Sequence, residues 1–276
     1  MAVRFELHAH TTCSDGVYTP SALVEHALAS GLGALAITDH DTLRGVPEAA
    51  ARGRELGVEV IPGIEATSDA GAPGEEREVH ILGLFVDAGS RDLAQAFARL
   101  RTRRIERMHE MIAKLRKLGI TIDAAEVMKR EGASFGRPHL ARALVAHRAV
   151  ESVDEAFRKY LAEGRPAYVE KALLPSADAI AAIRAAGGLP VIAHPGRYKA
   201  EPDLDRLAAQ GLGGIEVYYP THDAERTAFY AAEAKRLGLV ATGGADFHGD
   251  PGRKPAIGTQ PMPADVLDNV RRAVGR

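Results

Sequence analysis

The sequence predicts an α/β fold in which the strands form a barrel. Short apolar runs alternate with amphipathic helical stretches along most of the 276 residues, and this alternation is typical of the α/β class. The runs are apolar at consecutive positions rather than at every second one, which indicates strands buried on both faces of a parallel sheet. About seven such runs are present, a number that favours a barrel over an open sheet.

The predicted strands fall into two groups along the chain. Four lie in the first third and three in the last third. They cover residues 3–7, 35–38, 58–62, 79–85, 189–193, 214–218 and 239–242.

The helices between these strands carry recognisable start and stop signals. Thr19 is a suitable N-cap and Pro20 suits the first helical position, so a helix is predicted from there to Gly31. Further helices are predicted over residues 176–186 and 224–237, because each stretch is amphipathic and is followed by glycine.

The alternation stops between about residue 99 and residue 167, where only helical patterns occur. The helices predicted from residue 91 onwards cover 91–118, 124–131, 139–146 and 153–162. We therefore predict an all-helical cap at 99–167, inserted between a first barrel part at 1–98 and a second at 168–276.

Composition excludes several classes of protein. Hydrophobic residues make up 46% and charged residues 26%, which excludes a disordered chain. The net charge of −2 argues against binding duplex nucleic acid through overall charge. The single cysteine, Cys13, excludes an intrachain disulfide and a cysteine-based zinc site. Because neither a signal peptide nor an apolar run of roughly 20 residues is found, we expect a cytoplasmic protein with no membrane contact.

Residues of the types that bind metal ions lie in or beside the predicted strands, mostly at their carboxyl ends. In α/β barrels the functional groups gather at that edge, so residues far apart in sequence would meet there. In chain order they are His8, His10, Asp15, His40, Glu65, His80, His194, Asp246 and His248.

The spacing of these residues has a physical basis. Residues two apart on a strand face the same side, so His8 and His10 can reach one ion. Asp246 and His248 repeat this spacing. His80 is the exception, because it lies near the start of its apolar run. Either that strand begins earlier than predicted or its segment enters the site from another direction.

The residue types also indicate the chemistry. Imidazole and carboxylate ligands without thiolate suit Mn²⁺, Fe²⁺ or Zn²⁺. Six histidines and three carboxylates are too many for one ion, so two or three ions are expected, with Glu65 placed to bridge. Neighbouring divalent ions are typical of enzymes that catalyse displacement at phosphorus. The residue types therefore favour metal-dependent chemistry at phosphorus.

Six sequence blocks, in this order, resemble the polymerase-and-histidinol-phosphatase (PHP) family of metal-dependent phosphoesterases. They are HAHTTCSDG, ITDHD, PGIEAT, EVHILG, IAHPGRY and GADFH. The resemblance covers nearly the whole chain and implies a distorted (β/α)7 barrel. The segments GRPHLAR and HPGRY are similar to a subgroup that hydrolyses 3′,5′-nucleoside bisphosphates and trims short 5′-phosphorylated RNA from its 5′ end.

The resemblance also implies a three-metal site, with manganese expected and iron or zinc as alternatives. It implies that a metal-bridging hydroxide, rather than a protein side chain, is the nucleophile. Carried over by motif, the ligands are His8, His10, Glu65 and Asp246 for one ion; Asp15, His40 and His248 for the second; and Glu65, His80 and His194 for the third.

Candidates for binding the 5′-phosphate are Arg137, His139 and Arg197, since arginine offers phosphate a planar fork of donors. Arg137 and His139 are predicted on the cap, opposite the metal ligands. Ordinary solvated arginines remain the alternative for both guanidinium groups. Asp39 and His222 are candidates for orienting the imidazole ligands, and for His222 core packing or assistance to the leaving group stays open.

The leading hypothesis is removal of the 3′-phosphate from 3′,5′-nucleoside bisphosphates, trimming of 5′-phosphorylated RNA, or both. Such nucleotides would be the partners of this protein, and no obligate protein partner is evident. The alternatives are a phosphomonoesterase acting on another small substrate such as histidinol phosphate, an amidohydrolase, and a catalytically silent metal-binding domain.

Overall fold

The computed structural model describes residues 3–71, 77–128, 136–171, 173–249 and 256–276. These residues form two units. One comprises Met1–Phe97 together with Leu173–Arg276, and the other comprises Ala98–Ala172. The predicted cap boundaries at 99 and 167 stay predictions.

The first unit contains a mixed sheet of eight strands among the described residues. In chain order they are β1 (Phe5–Glu6), β2 (Ala34–Ile37), β3 (Glu59–Asp69), β4 (Glu78–Leu84), β5 (Leu174–Pro175), β6 (Leu189–Ile192), β7 (Gly214–Tyr218) and β8 (Val240–Gly243). Their order in the sheet is β1-β2-β3-β4-β6-β7-β8, and β5 pairs with β3. The α/β class predicted from the sequence is confirmed. The two-residue strand β5 was missed, because so short a segment has no readable pattern.

Strand β4 runs antiparallel to both of its neighbours, so the parallel direction predicted for residues 79–85 is wrong. His80 pairs with Thr67 of β3, and Ile81 pairs with Ile192 of β6. The start of β4 therefore lies at the edge where the parallel strands end. This explains why His80 precedes most of its apolar run, since its segment enters the site from the opposite direction.

Strand β3 extends well beyond the predicted end at residue 62. Its second half, from Gly63 to Asp69, pairs with β4. Glu65 is therefore held within a strand by ladder hydrogen bonds rather than in the loop after it. A sequence pattern centred on apolar residues stops too early here, because this second half contains the polar residues Glu65, Thr67 and Ser68.

The segments that follow β1 and β8 lie side by side. Ala9 forms an isolated parallel bridge with Phe247. The N–H of His10 donates to the Phe247 carbonyl at 2.8 Å, and the Phe247 N–H donates to the His8 carbonyl at 3.0 Å. Closure of the whole sheet into a (β/α)7 barrel stays a prediction.

Helices of the first unit pack against this sheet. Those of the first unit include α1 (Pro20–Ala29), α2 (Val46–Leu56), α7 (Ser176–Ala185), α8 (Leu204–Ala209), α9 (Ala224–Leu237) and α10 (Val266–Ala273). Thr19 caps α1 as predicted, and its hydroxyl accepts from the Ala22 N–H at 3.2 Å. Buried side chains of α1, among them Leu23 and Val24, pack with Leu35 and Ile37 of β2.

The described regular structure of the second unit is helical, as predicted. Its elements are the long helix α3 (Arg91–Lys117), whose first turns belong to the first unit, followed by α4 (Ala124–Val127), α5 (Arg137–Ala146), α6 (Val153–Ala156) and a π-helical turn (Phe157–Leu161). Its core is apolar and includes Met111, Leu115, Leu140, Leu144 and Leu161. The end of the helix predicted over 124–131 lies outside the described residues. No helix in the described ranges is both long and apolar enough to cross a bilayer.

Candidate metal centre

The nine ligand candidates lie together at one edge of the sheet. Eight of them form three overlapping groups in which one potential ligand atom per residue lies within 4.8 Å of the others. The groups are His8, His10, Glu65 and Asp246; His10, Asp15, His40 and His248; and His40, Glu65 and His80. The ninth, His194, contacts Glu65. Because the groups share members, they form one continuous cluster of side chains rather than separate sites.

The bridge between Ala9 and Phe247 brings together two chain segments that carry four of these side chains. Side chains alternate along extended backbone, so His8 and His10, which flank Ala9, face one side together. Asp246 instead adopts the left-handed backbone conformation, with φ 50°. Ala9 and Phe247 pack into the apolar core. His8 and His10 face the cluster beside Asp246, whose Oδ1 lies 3.5 Å from His8 Nε2 and 3.3 Å from His10 Nε2.

Glu65 lies at the centre of the cluster, where one carboxylate oxygen faces three imidazoles. Its Oε2 is 3.3 Å from His8 Nε2 and 3.2 Å from His10 Nε2. The same oxygen is 3.1 Å from His40 Nδ1. His40 reaches this position because it follows β2 and forms a parallel bridge with Glu65.

The other carboxylate oxygen of Glu65 faces two further imidazoles. Its Oε1 lies 2.8 Å from His80 Nδ1 and 3.0 Å from His194 Nε2. His194 directly follows β6 and adopts the left-handed backbone conformation, with φ 34° and ψ 53°. The two oxygens thus face different groups of imidazoles, and the bridging role expected for Glu65 stays a prediction.

Asp15 is a second carboxylate of the cluster that faces several imidazoles. Its Oδ1 is 3.3 Å from His248 Nε2 and 3.7 Å from His10 Nδ1. Its Oδ2 is 3.8 Å from His40 Nε2. His10 was not among the ligands expected beside Asp15, so the structure adds it to this group.

Several atoms of the cluster are buried without a hydrogen-bond partner. They are His8 Nε2, His10 Nε2, His40 Nδ1, Asp15 Oδ1 and Glu65 Oε2. Buried polar groups in folded proteins are nearly always hydrogen-bonded, so such a concentration is unusual. Imidazole nitrogens and carboxylate oxygens that face each other can share a cation. This set of nitrogen and oxygen donors therefore fits divalent ions of the manganese, iron or zinc type.

The electrostatics of the cluster agree with a cation site. Burial alone raises the pKa of Glu65, but the neighbouring imidazoles of His40, His8 and His80 hold this pKa well below its usual value. Burial alone lowers the pKa of His10, but the neighbouring carboxylates of Asp246 and Glu65 raise it to about 10. The carboxylates thus remain ionised, and protons on the imidazoles would be displaced when metal ions bind.

Asp39 supports the loop between His10 and Asp15. It accepts hydrogen bonds at 2.7 Å from the Thr11 N–H, the Thr11 hydroxyl and the Ser14 hydroxyl. The Ser14 hydroxyl in turn lies 3.4 Å from His10 Nδ1. The imidazole nearest to this network is therefore that of His10, and the orienting role expected for Asp39 stays a prediction.

His222 holds the turn after His194. Its Nδ1 lies 2.9 Å from the Val217 carbonyl and must donate to it, which leaves Nε2 to accept from the Gly196 N–H at 3.2 Å. A side chain at Gly196 would collide with this ring, since its Cβ would lie 2.8 Å from His222 Nε2.

Arg197 contacts the cluster through Asp246. Its Nη1 donates to Asp246 Oδ2 and to the Tyr219 hydroxyl, both at 3.0 Å. The Tyr219 hydroxyl itself donates to Asp246 Oδ2 at 2.9 Å. The arginine side chain remains 44% exposed, so part of it is accessible to a ligand.

Arg137 and His139 lie in the second unit and have interactions within that unit. The Arg137 guanidinium carbon is 5.8 Å from the ring centre of Phe157 and 5.6 Å from that of Tyr168. His139 Nδ1 accepts from the Gly136 N–H at 3.3 Å at the start of α5. Their expected contact with a 5′-phosphate stays a prediction.

Sequence reasoning missed two residues that support the ligands. Glu216 of β7 is fully buried and contacts both His8 and His194. Tyr198 accepts from the His80 N–H at 2.8 Å and donates to the Ala193 carbonyl at 3.0 Å. The signal for Glu216 was available, since an acidic residue in the middle of an apolar strand requires a buried partner.

Known proteins resemble this chain over most of its length. Residues 6–164 match the PHP domain family. The chain is 38% identical to a 3′,5′-nucleoside bisphosphate phosphatase from Chromobacterium violaceum, over 90% of this chain and 89% of that protein. It is 34% identical to a 5′-3′ exoribonuclease from Haemophilus influenzae, over 90% of this chain and 91% of that protein. It is 35% identical to a phosphoribosyl 1,2-cyclic phosphate 1,2-diphosphodiesterase from Eggerthella lenta, over 92% of this chain and 97% of that protein.

A solved structure shows the same similarity. A protein from Bifidobacterium adolescentis, proposed to be a metal-dependent phosphoesterase, superposes with a TM-score of 0.85 at 31% identity. The superposition covers 100% of this chain and 99% of that one.

Proposed function

The chain belongs to the PHP family of metal-dependent phosphoesterases, and on this basis we propose its substrate. The enzyme removes the 3′-phosphate of 3′,5′-nucleoside bisphosphates and trims short 5′-phosphorylated RNA from the 5′ end. Both reactions break the bond between phosphorus and the ribose 3′-oxygen and leave a nucleoside 5′-monophosphate. The observation that carries the proposal is the buried cluster centred on Glu65, taken together with the phosphatase and exoribonuclease relatives.

We propose that this cluster holds two or three divalent ions, with manganese expected and iron or zinc as alternatives. When bound, such ions activate water and neutralise charge on phosphate oxygens. The proposed ligand sets are His8, His10, Glu65 and Asp246; Asp15, His40 and His248; and Glu65, His80 and His194. His10 is placed to contribute to the second set as well, because its Nδ1 lies 3.7 Å from Asp15 Oδ1.

The chain's own residues then position the substrate. We propose that the exposed part of Arg197 donates to phosphate oxygens while its Nη1 remains on Asp246. Arg137 and His139 are proposed to bind the 5′-phosphate. Arginine suits this role because its planar guanidinium matches the spacing of phosphate oxygens.

The finer features of the fold belong to the same proposal. The Ala9–Phe247 bridge supports closure of the sheet into the distorted (β/α)7 barrel of the family. The helical unit supports the proposal of an inserted cap at 99–167.

A substrate panel assayed with Mn²⁺ tests the proposal. Phosphate release is compared between a 3′,5′-nucleoside bisphosphate and histidinol phosphate, and ring opening is measured for phosphoribosyl 1,2-cyclic phosphate. We expect the bisphosphate to have the highest kcat/KM. Faster turnover of histidinol phosphate or of the cyclic diester would overturn the substrate assignment.

A ladder of short RNAs tests the direction of cleavage. Each RNA is supplied with a 5′-phosphate or with a 5′-hydroxyl, and products are separated by length. We expect nucleoside 5′-monophosphates to be released stepwise from 5′-phosphorylated RNA only. Equal turnover of the two kinds of RNA would contradict recognition of the 5′-phosphate.

A further inference from the structure

Glu216 lies in the middle of β7, is fully buried, and touches two of the proposed metal ligands. We propose that Glu216 is a positioning residue, which selects the ring nitrogen that His8 presents to the cluster and holds the backbone that carries His194. This inference rests on the ligand sets proposed above.

The contact with His8 fixes the tautomer of that imidazole. Glu216 Oε1 lies 2.9 Å from His8 Nδ1. An ionised carboxylate only accepts hydrogen bonds, so Nδ1 carries the hydrogen, and a neutral ring then has its lone pair on Nε2. That Nε2 atom is 3.3 Å from Glu65 Oε2 and has no hydrogen-bond partner. Glu216 therefore aims a lone pair of His8 into the cluster, as carboxylates commonly do for metal-binding histidines.

The contact with His194 holds an unfavourable backbone conformation. Glu216 Oε2 accepts from the His194 N–H at 2.7 Å. His194 adopts φ 34° and ψ 53°, in the left-handed region that residues other than glycine rarely enter. This conformation directs His194 Nε2 to within 3.0 Å of Glu65 Oε1. The hydrogen bond from Glu216 thus helps to maintain a strained but useful geometry.

Two donors facing one side chain require two acceptors, and only a carboxylate of this length supplies both. Glutamine has the same shape, but it has one acceptor and one donor. If its oxygen faces the His194 N–H, its NH₂ group faces His8 Nδ1. The hydrogen of the neutral imidazole must then move to Nε2, where it blocks coordination. If the amide is reversed, its NH₂ group meets the His194 N–H instead.

Titration of Mn²⁺ into the metal-free, full-length protein without substrate tests the role of Glu216. Free Mn²⁺ is followed by electron paramagnetic resonance, which gives the number and affinity of bound ions for wild type and Glu216→Gln. We expect wild type to bind two or three ions. In Glu216→Gln the affinity of at least one of them should fall by about 10–100-fold, the range typical of residues that orient a ligand.

Thr242→Val is the matched control, because Thr242 is also buried and lies opposite Glu216 in the neighbouring strand β8, but its hydroxyl donates to the Ile215 carbonyl at 3.3 Å. This variant should lose thermal stability while it keeps its Mn²⁺ affinity within about threefold, well under the effect of a ligand-orienting residue. An equal loss of affinity in the two variants, or unchanged affinity in Glu216→Gln, would overturn the proposal.

A second measurement needs no variant. In wild-type protein loaded with diamagnetic Zn²⁺, ¹⁵N chemical shifts of the His8 ring should show a protonated Nδ1 and a metal-bound Nε2. The reverse assignment would overturn the role of Glu216 even if Glu216→Gln failed to fold. If wild type binds neither Mn²⁺ nor Zn²⁺, the metal centre itself fails, and that outcome is distinct from a failure of the Glu216 assignment.

Discussion

The two units differ in whether the polar side chains proposed to be functional have interaction partners within the protein. At the sheet edge of the first unit, one ring nitrogen each of His8, His10 and His40 is buried without a hydrogen-bond partner. In the second unit, Arg137 lies over two aromatic rings and His139 caps a helix. Polar atoms that the protein itself leaves unsatisfied indicate an external ligand, whereas satisfied ones are equally compatible with a structural role.

The energetic reason is the cost of burying polar atoms without partners. Each such atom costs about 1–3 kcal/mol, more when it is charged. The first unit concentrates several of them within one cluster, a cost that bound cations would offset. The second unit instead has an apolar core that includes Met111, Leu140 and Leu144.

Removal of the central carboxylate should give the largest effect. Glu65→Ala leaves five imidazoles without the carboxylate that they all face, so we expect loss of bound metal and a fall in kcat/KM of more than about 100-fold. Metal content by mass spectrometry and steady-state kinetics on a 3′,5′-bisphosphate check this. Asp205→Ala, which breaks a surface ion pair with Arg236, is the control and should change neither quantity. If Glu65→Ala kept both metal and activity, the cluster of the first unit would not differ from the second unit in needing a metal ligand.

Removal of the metal should affect the two units differently. Ions bound only by the folded state at 100 times their dissociation constant add about 2.7 kcal/mol to the free energy of unfolding. We expect EDTA to lower the thermal midpoint and Mn²⁺ to restore it. After Mn²⁺ is added back, backbone amides around residues 8–10 and 246–248 should regain protection from hydrogen exchange. Equal gains of protection in helix α5 would contradict a metal site confined to the first unit.

Arg197 connects the cluster to the proposed substrate. Arg197→Ala removes a charge-assisted contact of about 1.5–3 kcal/mol, which corresponds to a fall in kcat/KM of about 10–100-fold. Metal content should change little, because Tyr219 still donates to Asp246. Arg197→Lys keeps the charge without the planar fork and should recover only part of the loss. Loss of metal with an unchanged KM would show that Arg197 acts by holding Asp246 alone.

Arg137 should give the smallest effect and the most specific one. We expect Arg137→Ala to lower kcat/KM on 5′-phosphorylated RNA by about tenfold, equivalent to 1.4 kcal/mol, and to leave the metal content unchanged. Arg142→Ala, an exposed arginine on the same helix, is the control. If Arg137→Ala only lowers thermal stability, its ring contacts are structural, and the second unit contributes no phosphate ligand through this residue.

The sequence predicted the local features well. Helix α9 begins and ends where expected, because Asp223 caps its start and Gly238 follows its end. The ligand residue types could also be identified, since histidines and carboxylates stand out beside short apolar runs. These features depend on neighbours a few residues away, and such neighbours are visible in the sequence.

What the tertiary structure decided involves residues far apart in the chain. The reversed direction of β4 places His80 beside Glu65, yet an apolar run is equally apolar in both directions. Glu216 faces His8 across 208 positions of sequence, and only the finished sheet brings this carboxylate and imidazole together. Residue type and periodicity are local properties, so the sequence alone determined which groups were present. The direction of each strand and the partner of each buried charge depend on long-range pairing, so the folded structure decided how those groups meet.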